Sequence, residues 1–137
     1  MNYWLMKSEP DTYSWSKLVT EKRGRWDGVR NPIAARNLKR MKVGDKVFFY
    51  HSNIGKEIVG VMEVVREHYP DPSDDTGKWV AVDVKPDKPV KTPVTLAAVK
   101  AEPRLAEMAL ARYARLSVQP VTPEEWKLVC RMAGLGA

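Results

Sequence analysis

Residues 46–65, KVFFYHSNIGKEIVGVMEVV, decide what kind of fold this chain adopts. Lys46 to His51 is rich in strand formers, and Glu57 to Val65 carries apolar side chains on both alternating faces, the pattern of a central strand covered on two sides. Asn53 to Lys56 leaves room only for a short loop, so the two runs are neighbours rather than the ends of a helical crossover. That excludes a regular βαβ rhythm here and predicts an α+β domain.

Working outward, Tyr3-Trp4-Leu5-Met6 reads as a first strand ended by Lys7-Ser8-Glu9-Pro10. Ser14 is the expected N-cap of a short helix with Trp15, Leu18 and Val19 on its apolar face. A loop is expected from about Glu21 to Asn31. Asn31 followed by Pro32, with Ala34, Leu38 and Met41 at helical spacing, predicts a helix over 32–41. Val43-Gly44-Asp45 reads as a turn. On the other side, 71–77 is a loop by composition and Trp79 to Val84 a strand. Prolines 86, 89 and 93 predict a surface connector, followed by short helices at 95–100 and 103–108. Leu116 to Pro120 is a fifth strand. Thr122, Pro123 and Glu125 open a capped amphipathic helix closed by Gly134, with Trp126, Val129, Cys130 and Ala133 on one face. Five strands with short helices suggest a small curved sheet or open barrel, one domain over residues 1–137.

Several functional classes are excluded or disfavoured. The single cysteine, Cys130, lies on an apolar helix face, and only His51 and His68 accompany it, so neither a disulfide nor a metal site nor any cofactor is expected. No apolar run approaches the roughly 18 to 20 residues of a membrane span, and the N-terminus lacks a signal-peptide pattern. The expectation is a cytoplasmic protein without a membrane partner. Phosphate loops of the GxxxxGK[ST] and GxGxxG kinds and the GxSxG elbow are missing. The formal net charge of +6 is uneven: residues 17–46 hold ten Lys/Arg against three acids, and the rest of the chain nets −1. A basic window containing an aromatic and glycines predicts a polyanion partner.

The window centres on RWDGVRN, residues 25–31. Trp4, Trp15 and Trp126 fit apolar faces, whereas Trp26 has no apolar periodicity to join. Lys7-Ser8 and His51-Ser52 end strands on either side of this loop. Together these residues supply the parts of a nucleobase site: a flat face for stacking, short polar groups for the base edge, and cations for phosphate. The expected edge contacts are Ser8, Asp27, Asn31, His51 or Ser52, and the expected phosphate contacts are Arg25, Arg30, Arg36, Lys39 and Arg40. Two alternatives stay open: a nucleic-acid-modifying enzyme using Asp27 or His51 as acid or base, and a sensor of free nucleosides.

The ordered segments WLMKSEP (4–10), WDGVRN (26–31), FFYHS (48–52), GVMEVVREHYPDP (60–72), KWVAVDV (78–84) and LSVQPVTPEEW (116–126) resemble the EVE domain family. The resemblance runs from Tyr3 to about Met132. It implies a PUA-like fold, a mixed five-stranded pseudo-barrel with flanking short helices, and kinship with the YTH domains that read methylated adenine in an aromatic cage. It further implies Trp26 and Trp79 as aromatic walls, with Lys7, Ser8 and Asp27 at cage or edge-reading positions. The family is associated with modified bases, notably 5-modified cytosine in DNA, and its bacterial members with phage defence or RNA modification. The implied activity is a non-enzymatic reader of a modified base in DNA or RNA, with any cleavage left to a separate effector protein.

Overall fold

The computed structural model describes residues 1–135, so the last two positions of the expected 1–137 domain lie outside the described residues. Its strands are β1 (Tyr3–Ser8), β2 (Gly24–Trp26), β3 (Lys46–His51), β4 (Glu57–Pro70), β5 (Val80–Thr95) and β6 (Val118–Val121). The helices are α1 (Trp15–Glu21), α2 (Pro32–Arg40), α3 (Leu96–Ala101), α4 (Ala109–Arg112) and α5 (Pro123–Met132), with a 3₁₀ turn at Pro103–Leu105. All six strands form one mixed sheet in the order β2-β5-β4-β3-β1-β6, not closed into a barrel. β1 and β3 run parallel, and every other pair is antiparallel. Among the described residues no helix is long and apolar enough to cross a membrane.

The sheet is covered on both faces, and strand alternation decides which side chain goes where. Trp4, Met6, Val47 and Phe49 face a core with Leu18 of α1 and Leu38 of α2, while Leu5, Phe48 and Tyr50 face a second core with Val99, Leu110 and Val129. Trp126 of α5 stacks on Phe48 with ring centroids 3.8 Å apart and on Tyr3 at 4.7 Å. The helix starts follow the capping chemistry: the Asn31 side chain accepts from the N–H groups of Ile33 and Ala34, and Thr122 with Glu125 closes a capping box.

Three expectations need correction. The mixed α+β architecture with short helices is as expected, but the sheet has six strands rather than five and is not closed into a barrel. The extra strand is β2, three residues inside the expected 21–31 loop, which pair with Val82–Val84 of β5. Three residues carry too little periodicity to register as a strand; only their partner makes them one. The proline-marked connector is instead the second half of β5, paired to β4 through Thr95. Proline lacks the N–H a central strand needs, but β2 covers the other side of β5 only at 82–84, and Pro86 and Pro89 sit among register shifts, where an edge tolerates them. The apolar face expected of α1 is also narrower, since Val19 is exposed.

Candidate nucleobase site

The last residues of β1 and β2, the turn at residues 12–13, the loop after β2 and the start of α2 enclose a cavity of about 500 Å³. Trp26 contributes one wall. Its indole is 6% exposed and meets Phe49 edge-on at 5.4 Å and Tyr13 at 6.2 Å, so it belongs to the core and borders the cavity at once. The expectation that it has no apolar stripe to join is therefore overturned: its partners arrive across the sheet, not along the chain. Ser8 Oγ donates to the Tyr13 carbonyl at 2.7 Å, which holds the turn against the strand end and leaves the hydroxyl lone pairs to accept from a ligand. Asp27 is part-exposed at the rim; its Oδ2 accepts from Arg25 Nε at 3.0 Å, leaving Oδ1 as an acceptor. Solvent screens this exposed pair, so it orients Asp27 more than it stabilises the fold.

The far wall hangs on Asp71, at the tip of the β4–β5 hairpin, whose carboxylate is fully buried. It accepts from the Gly28 N–H at 2.9 Å, from Arg30 Nη1 at 2.9 Å, and from the Ser73 N–H and hydroxyl at 2.8 and 2.7 Å. Burial alone pushes this carboxyl up, but the bonds from the Ser73 hydroxyl, the Gly28 N–H, Arg30 and the Ser73 N–H outweigh it and hold the group well below the usual carboxylate range. Gly28 reaches the carboxylate with φ of 75°, a conformation that strains other residues. The Tyr13 hydroxyl, desolvated and donating to Glu21, is pushed up to about 12 and stays neutral. Polar groups, one indole and two arginines thus face a single opening.

A family model of the EVE domain matches residues 2–132. The chain belongs to the EVE domain family. Thymocyte nuclear protein 1 of Danio rerio is 39% identical over 92% of this chain and 69% of its own length. An NMR structure of Rpa0253 from Rhodopseudomonas palustris superposes with a TM-score of 0.94 at 62% identity, covering 98% of this chain and 94% of that one. Human THYN1 in complex with 5-methylcytosine-containing DNA superposes at 0.90 with 34% identity, covering 97% and 98%. A YTH domain of Zygosaccharomyces rouxii, solved with N6-methyladenosine RNA, gives 0.61 at 17% identity over 96% and 86%, a likeness of fold alone.

In this EVE domain the cavity brings together Lys7, Ser8, Arg25, Trp26, Asp27, Arg30 and Asn31 of the expected residues. His51, Ser52, Trp79, Arg36, Lys39 and Arg40 lie outside its lining. His51 Nε2 accepts from the Trp15 N–H at 3.1 Å, and burial, offset in part by Glu57, pushes its pKa down. Trp79 stands beyond Arg30, whose guanidinium is 5.9 Å from its ring centroid, with Lys78 Nζ at 4.8 Å. Arg40 lies against Trp4, at the end of β1 opposite Ser8, roughly 13 Å away along the strand. Sequence reasoning missed Tyr13, Ser117 and Asp71. Tyr13 and Ser117 carry no local signal, whereas the Asp71-Pro72-Ser73 run shows a turn but not what its carboxylate holds.

The basic window also changes meaning in three dimensions. Arg23 pairs with Asp83, Arg25 with Asp27, Arg30 with Asp71, Lys42 with Glu67, and Lys46 with Glu63 and Asp87. Half of its ten cations are thus matched by carboxylates, mostly from the β4–β5 hairpin.

Proposed function

We propose that this EVE domain is a non-enzymatic reader of a modified base in nucleic acid, the base entering the cavity beside Trp26. The observation that carries the reading is the lining itself: an indole set at the edge of the core, with Ser8 and Asp27 presenting free acceptors and Arg25 and Arg30 at the same opening. Acceptors of this kind match the exocyclic amine of cytosine or adenine. Aromatic contact supplies on the order of 1 to 3 kcal/mol per base. The human relative's complex with 5-methylcytosine DNA makes 5-modified cytosine the first ligand to test, with a methylated adenine in RNA as the second. A reader fits better than an enzyme because His51 spends Nε2 on the Trp15 N–H and Asp27 is turned to Arg25. Any cleavage then falls to a separate effector protein.

The test is fluorescence anisotropy with single-stranded and duplex oligonucleotides carrying 5-methylcytosine, N6-methyladenine or no modification. One modified strand is expected to bind most tightly, and Asp27→Asn or Ser8→Ala to weaken it by about tenfold. Equal affinity for every oligonucleotide, unchanged in both variants, overturns the proposal. Trp26→Ala is a poor probe here, because emptying a buried indole site costs about 3 to 5 kcal/mol of stability.

A further inference from the structure

We propose that a second cavity, between the β3–β4 loop and helices α3 and α4, binds a phosphate group through Lys56 and Lys100. The inference rests on the base-reading proposal for its source, a phosphate of the strand whose base occupies the neighbouring cavity. This second cavity has a volume of about 360 Å³, and four cations line it: Lys7, Lys56, Lys100 and Arg112. No carboxylate does; the polar remainder is Tyr50, Ser52 and Asn53, hydroxyl and amide groups able to donate to an oxyanion. Arg112 already pairs with Glu107, but no acid lies within 4 Å of Lys7, Lys56 or Lys100 among the described residues. Like charges gathered around one hollow repel until an anion enters, so the arrangement favours an occupant of negative charge.

The loop carrying Lys56 is built to hold it there. Its two ends are tied down, by the Ser52 N–H to the Ser8 carbonyl and the Leu96 N–H to the Lys56 carbonyl, both at 2.9 Å. Lys56 itself has φ of 48°, a left-handed conformation that side chains other than glycine rarely adopt. Lys7 lines both cavities, its ammonium fixed by the carbonyls of Ala114 at 3.0 Å and Tyr113 at 3.4 Å. The base cavity and the cationic one therefore adjoin at Lys7, and a strand with its base in the first passes Lys7 to set a phosphate in the second. Lys56, Lys100 and Arg112 all lie outside the basic window of the sequence, half of which is neutralised.

The test compares wild type with the double variant Lys56→Gln/Lys100→Gln, using 5-methylcytosine and plain oligonucleotides between 50 and 200 mM salt. A phosphate subsite predicts that both oligonucleotides lose affinity by the same factor, about tenfold. It also predicts that the slope of log affinity against log salt falls by roughly 0.7 to 0.9, as expected for one phosphate, and that the ratio between them is kept, because phosphate contacts position and do not specify. Lys127→Gln/Arg131→Gln on the exposed face of α5 serves as the unaffected control. An unchanged slope, or a lost ratio with the slope intact, overturns the proposal. Inorganic phosphate titrated into the protein, followed by amide NMR shifts at residues 53–56, separates the two readings. If no oligonucleotide binds the wild type, the reader fails. Phosphate shifts that the double variant lacks would then show a site for free phosphate, contradicting the strand source, and no shifts at all would remove the site altogether.

Discussion

Asp71→Asn is the substitution that most directly tests how the cavity wall is held. All four partners of the Asp71 carboxylate are donors: two N–H groups, one guanidinium and one hydroxyl. An asparagine amide of the same shape must point its NH₂ at one pair of them, losing two bonds whichever way it turns. Hydrogen bonds to a charged group contribute about 1.5 to 3 kcal/mol each. Arg30 is part-solvated and the Ser73 hydroxyl can rotate to accept, so the expected loss is about 2 to 4 kcal/mol. With a urea m-value near 2 kcal/mol/M the unfolding midpoint falls by roughly 1 to 2 M, with the slope unchanged. The pH dependence gives an independent check. The folded pKa of Asp71 lies below its ordinary value of 3.8, so its stabilisation is complete above that value and is lost as pH falls below it towards the folded pKa. The gap between wild type and Asp71→Asn should therefore be full at pH 7 and shrink below pH 4. A loss under 1 kcal/mol at neutral pH, or a gap that stays constant into acid, refutes an ionised Asp71 as the tie between the hairpin tip and the Gly28–Arg30 loop.

Two further outcomes follow from the packing and the titrating groups. Gly60→Ala places a Cβ within 2.5 Å of three atoms of the Trp15 indole, which lies across β4 there, so chemical denaturation should show a loss of about 1 to 3 kcal/mol from overpacking. His51 is held neutral, chiefly by burial, with its pKa below the ordinary 6.5, and its protonation breaks the bond from the Trp15 N–H. Stability should be at its full value above pH 6.5 and decline as pH drops through the folded pKa, a slope that His51→Gln abolishes in urea titrations at stepped pH.

What could be read along the chain, and what could not, separates by distance in sequence. Helix starts at Ser14, Asn31 and Thr122 were legible because a cap and its N–H partners lie within three residues of each other. The covered central strand was legible because its alternation is internal to Glu57–Val65. Family membership was legible in ordered motifs spread over most of the chain. β2 was not, since three residues become a strand only beside Val82–Val84, nor was the strand running through Pro86 and Pro89, which depends on having an open edge.

The candidate site divides in the same way. Sequence alone determined that Ser8, Trp26, Asp27, Arg30 and Asn31 belong to strand ends and a loop of suitable chemistry, and the structure places them at one cavity. Only the tertiary structure decided that Trp26 is anchored in the core, that Trp79 stands outside the lining, and that Tyr13 enters it. Charge shows the difference most sharply. Clustering along the chain pointed to residues 17–46, yet the ion pairs that neutralise Arg23 and Arg30 join residues 60 and 41 apart. Such pairs are set by the register and bend of the β4–β5 hairpin, because ion pairing depends on separation in space. Lys7, Lys56 and Lys100, scattered in sequence, face one cavity for the same reason.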